Sequence, residues 1–310
     1  MEKSQILGGL YGLLVGDAVG VPYEFHAANQ LPPMEEIDMT PPAGFNRAHR
    51  GVPIGTWSDD GAQALCLLDS LVECGELDLA NFADKLWAWY DKGLWAVDHH
   101  VFDVGIQTSV SLQAYHQGIS PENSGFANPE GKGNGSLMRV LPLALWHQGS
   151  DEQLVIDSHK QSLVTHGHLT NQVACALYCL WVREVSKIRE IEEAYREAVD
   201  RLREIYGANS KERDELDLTI KPDQEPVSRG GGYVVETIQS VRIAVQEADY
   251  EQVIKKAISL GEDTDTNAAI AGGLYGVKVG LEGIPDKWYD LLRGKSEVES
   301  LIMRWPVSNS

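Results

Sequence analysis

Residues 261–276 read GEDTDTNAAIAGGLYG, and this stretch decides the fold. Its first six residues form an acidic, hydroxyl-rich turn. The rest is a helix pattern of Gly, Ala, Ile and Leu that is apolar nearly all round, which marks a helix buried on every side. Glycine inside a helix costs roughly 1 kcal/mol relative to alanine, so its density here implies that another backbone packs very close. The string GGLYG recurs at 8–12, inside a second Gly-rich apolar stretch over 8–20. Two such helices predict the centre of a helical protein.

Working outward, helical periodicity dominates. Residues 61–75 place Leu65, Leu68 and Val72 on one face, and 232–247 place Val235, Ile238 and Val245 similarly. Further helix patterns cover 79–91, 104–118, 136–148, 151–163, 169–205 and 250–259, with 266–280 completing the opening stretch. Alternating strand patterns are scarce, so the fold class is all-α. Residues 26–57 carry five prolines and read as a long loop. The charged segment 207–231 runs into glycines 230–232 and reads as a flexible surface excursion. No linker divides two domains, and the 310 residues are expected to form one.

The formal net charge is −20. A surface that acidic disfavours nucleic-acid backbones and anionic membranes, whose binding depends on Lys and Arg. Cys66, Cys74, Cys175 and Cys179 lack the second thiol pair or nearby histidine of a zinc site. They are expected as small buried residues of a cytoplasmic protein. The apolar stretch Leu7 to Val21 is interrupted by Asp17 and is short for a bilayer, so neither a signal peptide nor an anchor is expected.

Two acidic clusters precede helices: Ser58, Asp59 and Asp60, then Asp263, Asp265 and Thr266. Ser, Thr and Asp cap helices by accepting first-turn N–H groups, and either cluster alone fits that reading. Each nevertheless offers more carboxylates than one cap needs. In a continuous helix Asp263 and Asp265 would point about 200° apart, whereas in a turn they can converge. Four gathered carboxylates repel one another unless cations sit between them. Carboxylate and hydroxyl oxygens suit hard cations such as Mg²⁺, Ca²⁺ or Mn²⁺, and six such donors suit a two-metal site. His99 and His100 are adjacent, so their side chains diverge and they receive no role.

In this order along the chain, GLLVGDAVGVPYEF (12–25), GTWSDDGAQAL (55–65), FDVGIQT (102–108), GNGSLMRVLPLAL (133–145), VTHGH (164–168) and the opening stretch resemble the ADP-ribosylglycohydrolases. That family includes dinitrogenase reductase-activating glycohydrolase. The resemblance runs from about Leu7 to Trp288. It implies an all-α globule with a central dinuclear metal cleft, and Ser58, Asp59, Asp60, Asp263, Asp265 and Thr266 as ligands of two divalent cations. Mg²⁺ is the first expectation and Mn²⁺ the second. Ser58 stands where the family usually has Thr, and it keeps the hydroxyl oxygen.

The same resemblance places Glu24 beside the metals, as a gate or a general acid, and Asp103 near the reacting ribose. Asp60 and Asp103 are both candidates for the base that takes a proton from water. Gly105, Gly133 and Asn134 would approach diphosphate and ribose, His166 would contact ADP-ribose, and Phe126 the adenosine end. Arg139 would meet a phosphate or, as the preferred reading, anchor a helix salt bridge. The implied activity is hydrolysis of the glycosidic bond between ADP-ribose and a protein or small-molecule target. Arginine is the first expected linkage, and nucleic-acid-linked ADP-ribose remains open. A monomer is expected. A binding-only member of the fold, or an unrelated metal-dependent phosphohydrolase, are the competing readings.

Overall fold

The computed structural model describes residues 1–188 and 190–305. In chain order its helices are α1 (Lys3–Gly20), α2 (Asp59–Cys74), α3 (Leu79–Lys92), α4 (Ile106–His116), α5 (Pro121–Ser124), α6 (Leu141–Trp146), α7 (Asp151–Leu163), α8 (Leu169–Ile188) and α9 (Ile191–Tyr206). They continue with α10 (Lys211–Asp214), α11 (Val234–Ala244), α12 (Tyr250–Ser259), α13 (Thr264–Val279), α14 (Asp286–Leu291) and α15 (Lys295–Arg304). Among the described residues β-pairing is confined to two isolated bridges. The all-α expectation holds.

The chain divides into two compact units. One comprises Met1–Gly61, Pro226–Gly232 and Glu236–Ser310; the other Ala62–Glu225 and Tyr233–Val235.

In the first unit α1 and α13 run antiparallel with their backbones nearly touching. A Cβ added at Gly8 would lie 2.3 Å from Gly276 O, one at Gly12 2.4 Å from Gly272 O, and one at Gly16 2.2 Å from Ala268 O. Glycine at every fourth position of α1 thus forms a flat ridge along one face, and the two GGLYG strings lie against each other along it. Tyr250 of α12 donates to Gly12 O at 2.6 Å, satisfying a carbonyl within this contact. The window Lys3–Tyr23 is longer than the apolar run read from sequence, and its length and hydropathy match a membrane span. Yet 94% of it is buried inside the protein, as a core helix would be.

In the second unit α8 packs against α6, α7 and α9. Trp181 of α8 meets Tyr195 of α9 edge-on at 4.8 Å. The continuous pattern over 169–205 is therefore two helices. The helix expected over 136–148 begins only at Leu141, because 134–138 form a turn in which the N–H groups of Leu137 and Met138 donate to Asn134 O. Residues 207–231 carry more regular structure than expected. α10 is followed by a π-helical turn (Glu215–Ile220), and Arg203 binds Asp217 at 2.8 Å and also Asp223. Cys66, Cys175 and Cys179 are buried, whereas Cys74, at the end of α2, is half-exposed.

Candidate functional site

The first acidic cluster begins α2, whose first turn is capped both locally and from another helix. Asp17 of α1, fully buried, accepts the Ser58 N–H at 2.8 Å through Oδ1 and the Gly61 N–H at 2.8 Å through Oδ2. A carboxylate 41 residues away thus satisfies the first-turn donors that a local cap would take. Ser58 Oγ also accepts the Asp60 N–H at 3.3 Å, as an N-cap does, and its hydroxyl lies 3.0 Å from Asp60 Oδ2. The capping reading therefore holds for Ser58, with Asp17 completing the first turn.

The second cluster differs. Asp263 stands at the N-cap of α13 without making a side-chain capping bond. Thr264 is turned away, donating to Gly20 O at 2.8 Å. The turn is shaped by its neighbours. Phe25 N–H donates to Glu262 O at 2.8 Å and Glu262 N–H to His26 O at 2.7 Å. Gly230 O accepts the Asp263 N–H at 3.1 Å and the Asn267 side-chain amide at 2.8 Å. Gly230 has φ +80, and a Cβ there would lie 2.2 Å from Gly261 O. A glycine in the segment read as an excursion therefore packs onto the second acidic turn.

These elements gather donors from both motifs. Carboxylate oxygens of Glu24, Asp263 and Asp265 lie within 4.8 Å of one another. Thr266 Oγ1 is 3.3 Å from Asp60 Oδ2, the same oxygen that Ser58 approaches, so the two motifs meet at Asp60. Asp59 is buried alongside. Every donor is a hard oxygen, and like charges this close and this buried call for a cation. The residues present therefore fit a divalent metal.

Glu24, expected beside the metals, is in this cluster and is buried. His49 Nε2 lies 2.6 Å from Glu24 Oε2, and burial lowers the His49 pKa from its ordinary value.

The remaining expected residues belong to the second unit. Gly105 precedes α4, and Asp103 sits just before it, half-buried in left-handed backbone at φ 55. His166 is buried, with Nδ1 2.8 Å from Thr165 Oγ1. Burial, reinforced by the Arg139 charge, pushes its pKa down to about 3, so the ring is neutral at pH 7. A Cβ on Gly133 would lie 3.7 Å from its Nε2, and one on Gly135 would lie 2.8 Å from its Cε1. Gly133 and His166 are thus brought together, with Asn134 buried between Gly133 and Gly135 in sequence. Phe126 is 40% exposed.

Arg139 departs from expectation. It is fully buried, donates to Gln161 and Gln63, and lies over the Phe82 ring. It joins the 133–139 turn to α7 by donating to oxygens of Gln63 and Gln161, where a helix salt bridge was the preferred expectation. Sequence reasoning missed Asp17 and His49. Asp17 had a usable signal, because a charge inside an all-apolar helix must find buried partners. His49 had none, standing among scattered polar residues of a Pro-rich loop.

The fold is shared with a solved structure described as "ADP-ribosylglycohydrolase-related protein complex". The TM-score is 0.76 at 28% identity, over 97% of this chain and 96% of that one. The family model for ADP-ribosylglycohydrolase matches residues 2–308. Among curated proteins, the ADP-ribosylarginine hydrolase Tri1 of Pseudomonas putida is 32% identical over 95% of this chain and 76% of its own. The ADP-ribosyl-[dinitrogen reductase] glycohydrolase of Rhodospirillum rubrum is 28% identical over 94% and 92%. The chain belongs to the ADP-ribosylglycohydrolase family and is a glycosidase acting on ADP-ribose linkages.

Proposed function

We propose that this protein hydrolyses arginine-linked ADP-ribose, with two divalent cations held by Ser58, Asp59, Asp60, Asp263, Asp265 and Thr266. The observation that carries the metal reading is the gathering of Glu24, Asp263 and Asp265 oxygens beside the hydroxyls that converge on Asp60. The arginine linkage rests on the likeness to the Tri1 hydrolases. Mg²⁺ is the expected ion and Mn²⁺ a substitute, since both prefer oxygen ligands. When bound, such ions fix hydroxyl groups and lower the pKa of water.

The chain's own groups supply the rest. Cleavage builds positive charge at the anomeric carbon, which buried carboxylates favour. Asp60 or Asp103 takes the proton of the attacking water, and Glu24 serves the leaving-group side or excludes solvent. Gly105, Gly133 and Asn134 bind the diphosphate and ribose, and Phe126 the adenosine end. Neutral His166 contacts ADP-ribose as a hydrogen-bonding partner without adding charge. We infer further that the chain acts as one domain, as a monomer in the cytoplasm without a membrane span. The family match over 2–308 supports the single domain, and the burial of the apolar window supports its reading as a core helix.

The test is a panel of Arg-, Ser- and base-linked ADP-ribose conjugates, incubated with Mg²⁺, Mn²⁺ or chelator. Arginine-linked conjugate should release ADP-ribose in Mg²⁺ and not in chelator, and Asp265→Asn should abolish turnover. Full activity in chelator, with no bound metal by elemental analysis, would end the metal reading.

A further inference from the structure

The Pro-rich loop 26–57 reaches the acidic cluster through His49. Its side chain is 15% exposed and that of Glu24 6%, and the two are 2.6 Å apart. An ionised carboxylate has no proton to give, so Nε2–H is the donor. The turn that presents His49 is firmly built. Ala48 N–H donates to Pro22 O at 2.9 Å, Val52 N–H to His49 O at 2.8 Å, and the Arg47 guanidinium to Arg50 O at 2.9 Å and to Val52 O. His49 has φ 45 and Phe25 φ 62, and their rings lie 5.5 Å apart. Left-handed backbone at such residues persists where the surroundings impose it, and it concentrates at functional sites. Carboxylate oxygens of Glu24, Asp263 and Asp265 also lie within 4.8 Å of one another.

We propose that His49 is a positioning residue for Glu24, its Nε2–H holding the Glu24 carboxylate in place at the acidic cluster. This rests on the reading of Glu24 as part of the reacting site. The loop 26–57 thereby controls whether the Glu24 carboxylate is in place. With His49 removed, the carboxylate turns out of the cluster, and the step that needs it slows. The effect falls on kcat, because the bond is made within the protein and not to substrate.

The test uses the full chain in Mg²⁺ with arginine-linked ADP-ribose, comparing His49→Ala, His49→Gln, Glu24→Ala and the double variant E24A/H49A. His49→Ala should lower kcat about 10–100-fold, the range for a lost hydrogen bond to a charged group, with KM and Mg²⁺ affinity little changed. His49→Gln, whose amide N–H still donates, should recover most of the rate. In the Glu24→Ala background, His49→Ala should have no further effect, since the residue acts through Glu24. The ¹⁵N side-chain spectrum of histidine should place a proton on His49 Nε2, and Glu24→Ala should move that resonance. Additive losses in the double variant, wild-type kcat in His49→Ala, or an unmoved resonance would each overturn the proposal. Wild-type rates in Glu24→Ala would remove Glu24 from the site and His49 with it. Failure of the wild type on the arginine linkage alone would strike only that linkage, and the same comparison would then be read on the linkage that is cleaved.

Discussion

Replacing Asp17 tests how the first acidic motif is held. Its carboxylate satisfies two buried backbone donors, the N–H groups of Ser58 and Gly61, at 2.8–3.0 Å. Leaving a buried donor unsatisfied costs about 1–3 kcal/mol, so Asp17→Ala should lose about 2–6 kcal/mol. Against a total stability of about 5–15 kcal/mol, that variant stands close to unfolding. Asp17→Asn keeps one acceptor oxygen and loses one bond, so it should stay folded and lose about 1–3 kcal/mol. The loss should reach the site, because Ser58 N–H sets the direction of the turn whose hydroxyl approaches Asp60. Urea denaturation reads the stability, and Mg²⁺ calorimetry on the folded Asn variant should show weaker binding. Asn-variant stability within about 0.5 kcal/mol of wild type, with unchanged Mg²⁺ affinity, would refute the role of Asp17.

Two further outcomes concern the core and pH. Gly272→Ala puts a Cβ 2.4 Å from Gly12 O and 2.9 Å from Ile254 Cδ1, so α1 and α13 must separate. Overpacking costs about 1–3 kcal/mol, or roughly 2–10 °C in Tm at a few degrees per kcal/mol. Gly51→Ala, which meets nothing within 4 Å, is the control and should melt like wild type; equal Tm in both variants would contradict the close-packed ridge. His159 and His166 are both held below the ordinary 6.5, at about 4 and about 3, with burial the main cause. The unfolded chain therefore binds more protons below pH 6.5, and stability falls with acidification by about 1.4 kcal/mol per pH unit per histidine. The fall ends near pH 4 for one and pH 3 for the other. Urea denaturation at pH 7, 6 and 5 should show a shallower slope in the double variant with His159→Gln and His166→Gln; an unchanged slope would show that neither ring is held neutral.

Some of this protein was legible in one dimension because the signals are local. A helix apolar on every side and dense in glycine must be central, whatever surrounds it, and α1 and α13 are. Acidic clusters at helix starts are visible as strings, whereas Glu24 is marked only by the family resemblance. What stayed hidden depends on partners distant in sequence. The first turn of α2 is completed by Asp17, on another helix. The apparent excursion ending at Gly230 became part of the second acidic turn because a glycine there allows contact with Gly261. His49 gained a role through a side chain 25 residues away. Periodicity and composition report which face of a helix is buried. Which buried donor meets which acceptor is set by the packing that brings distant segments together.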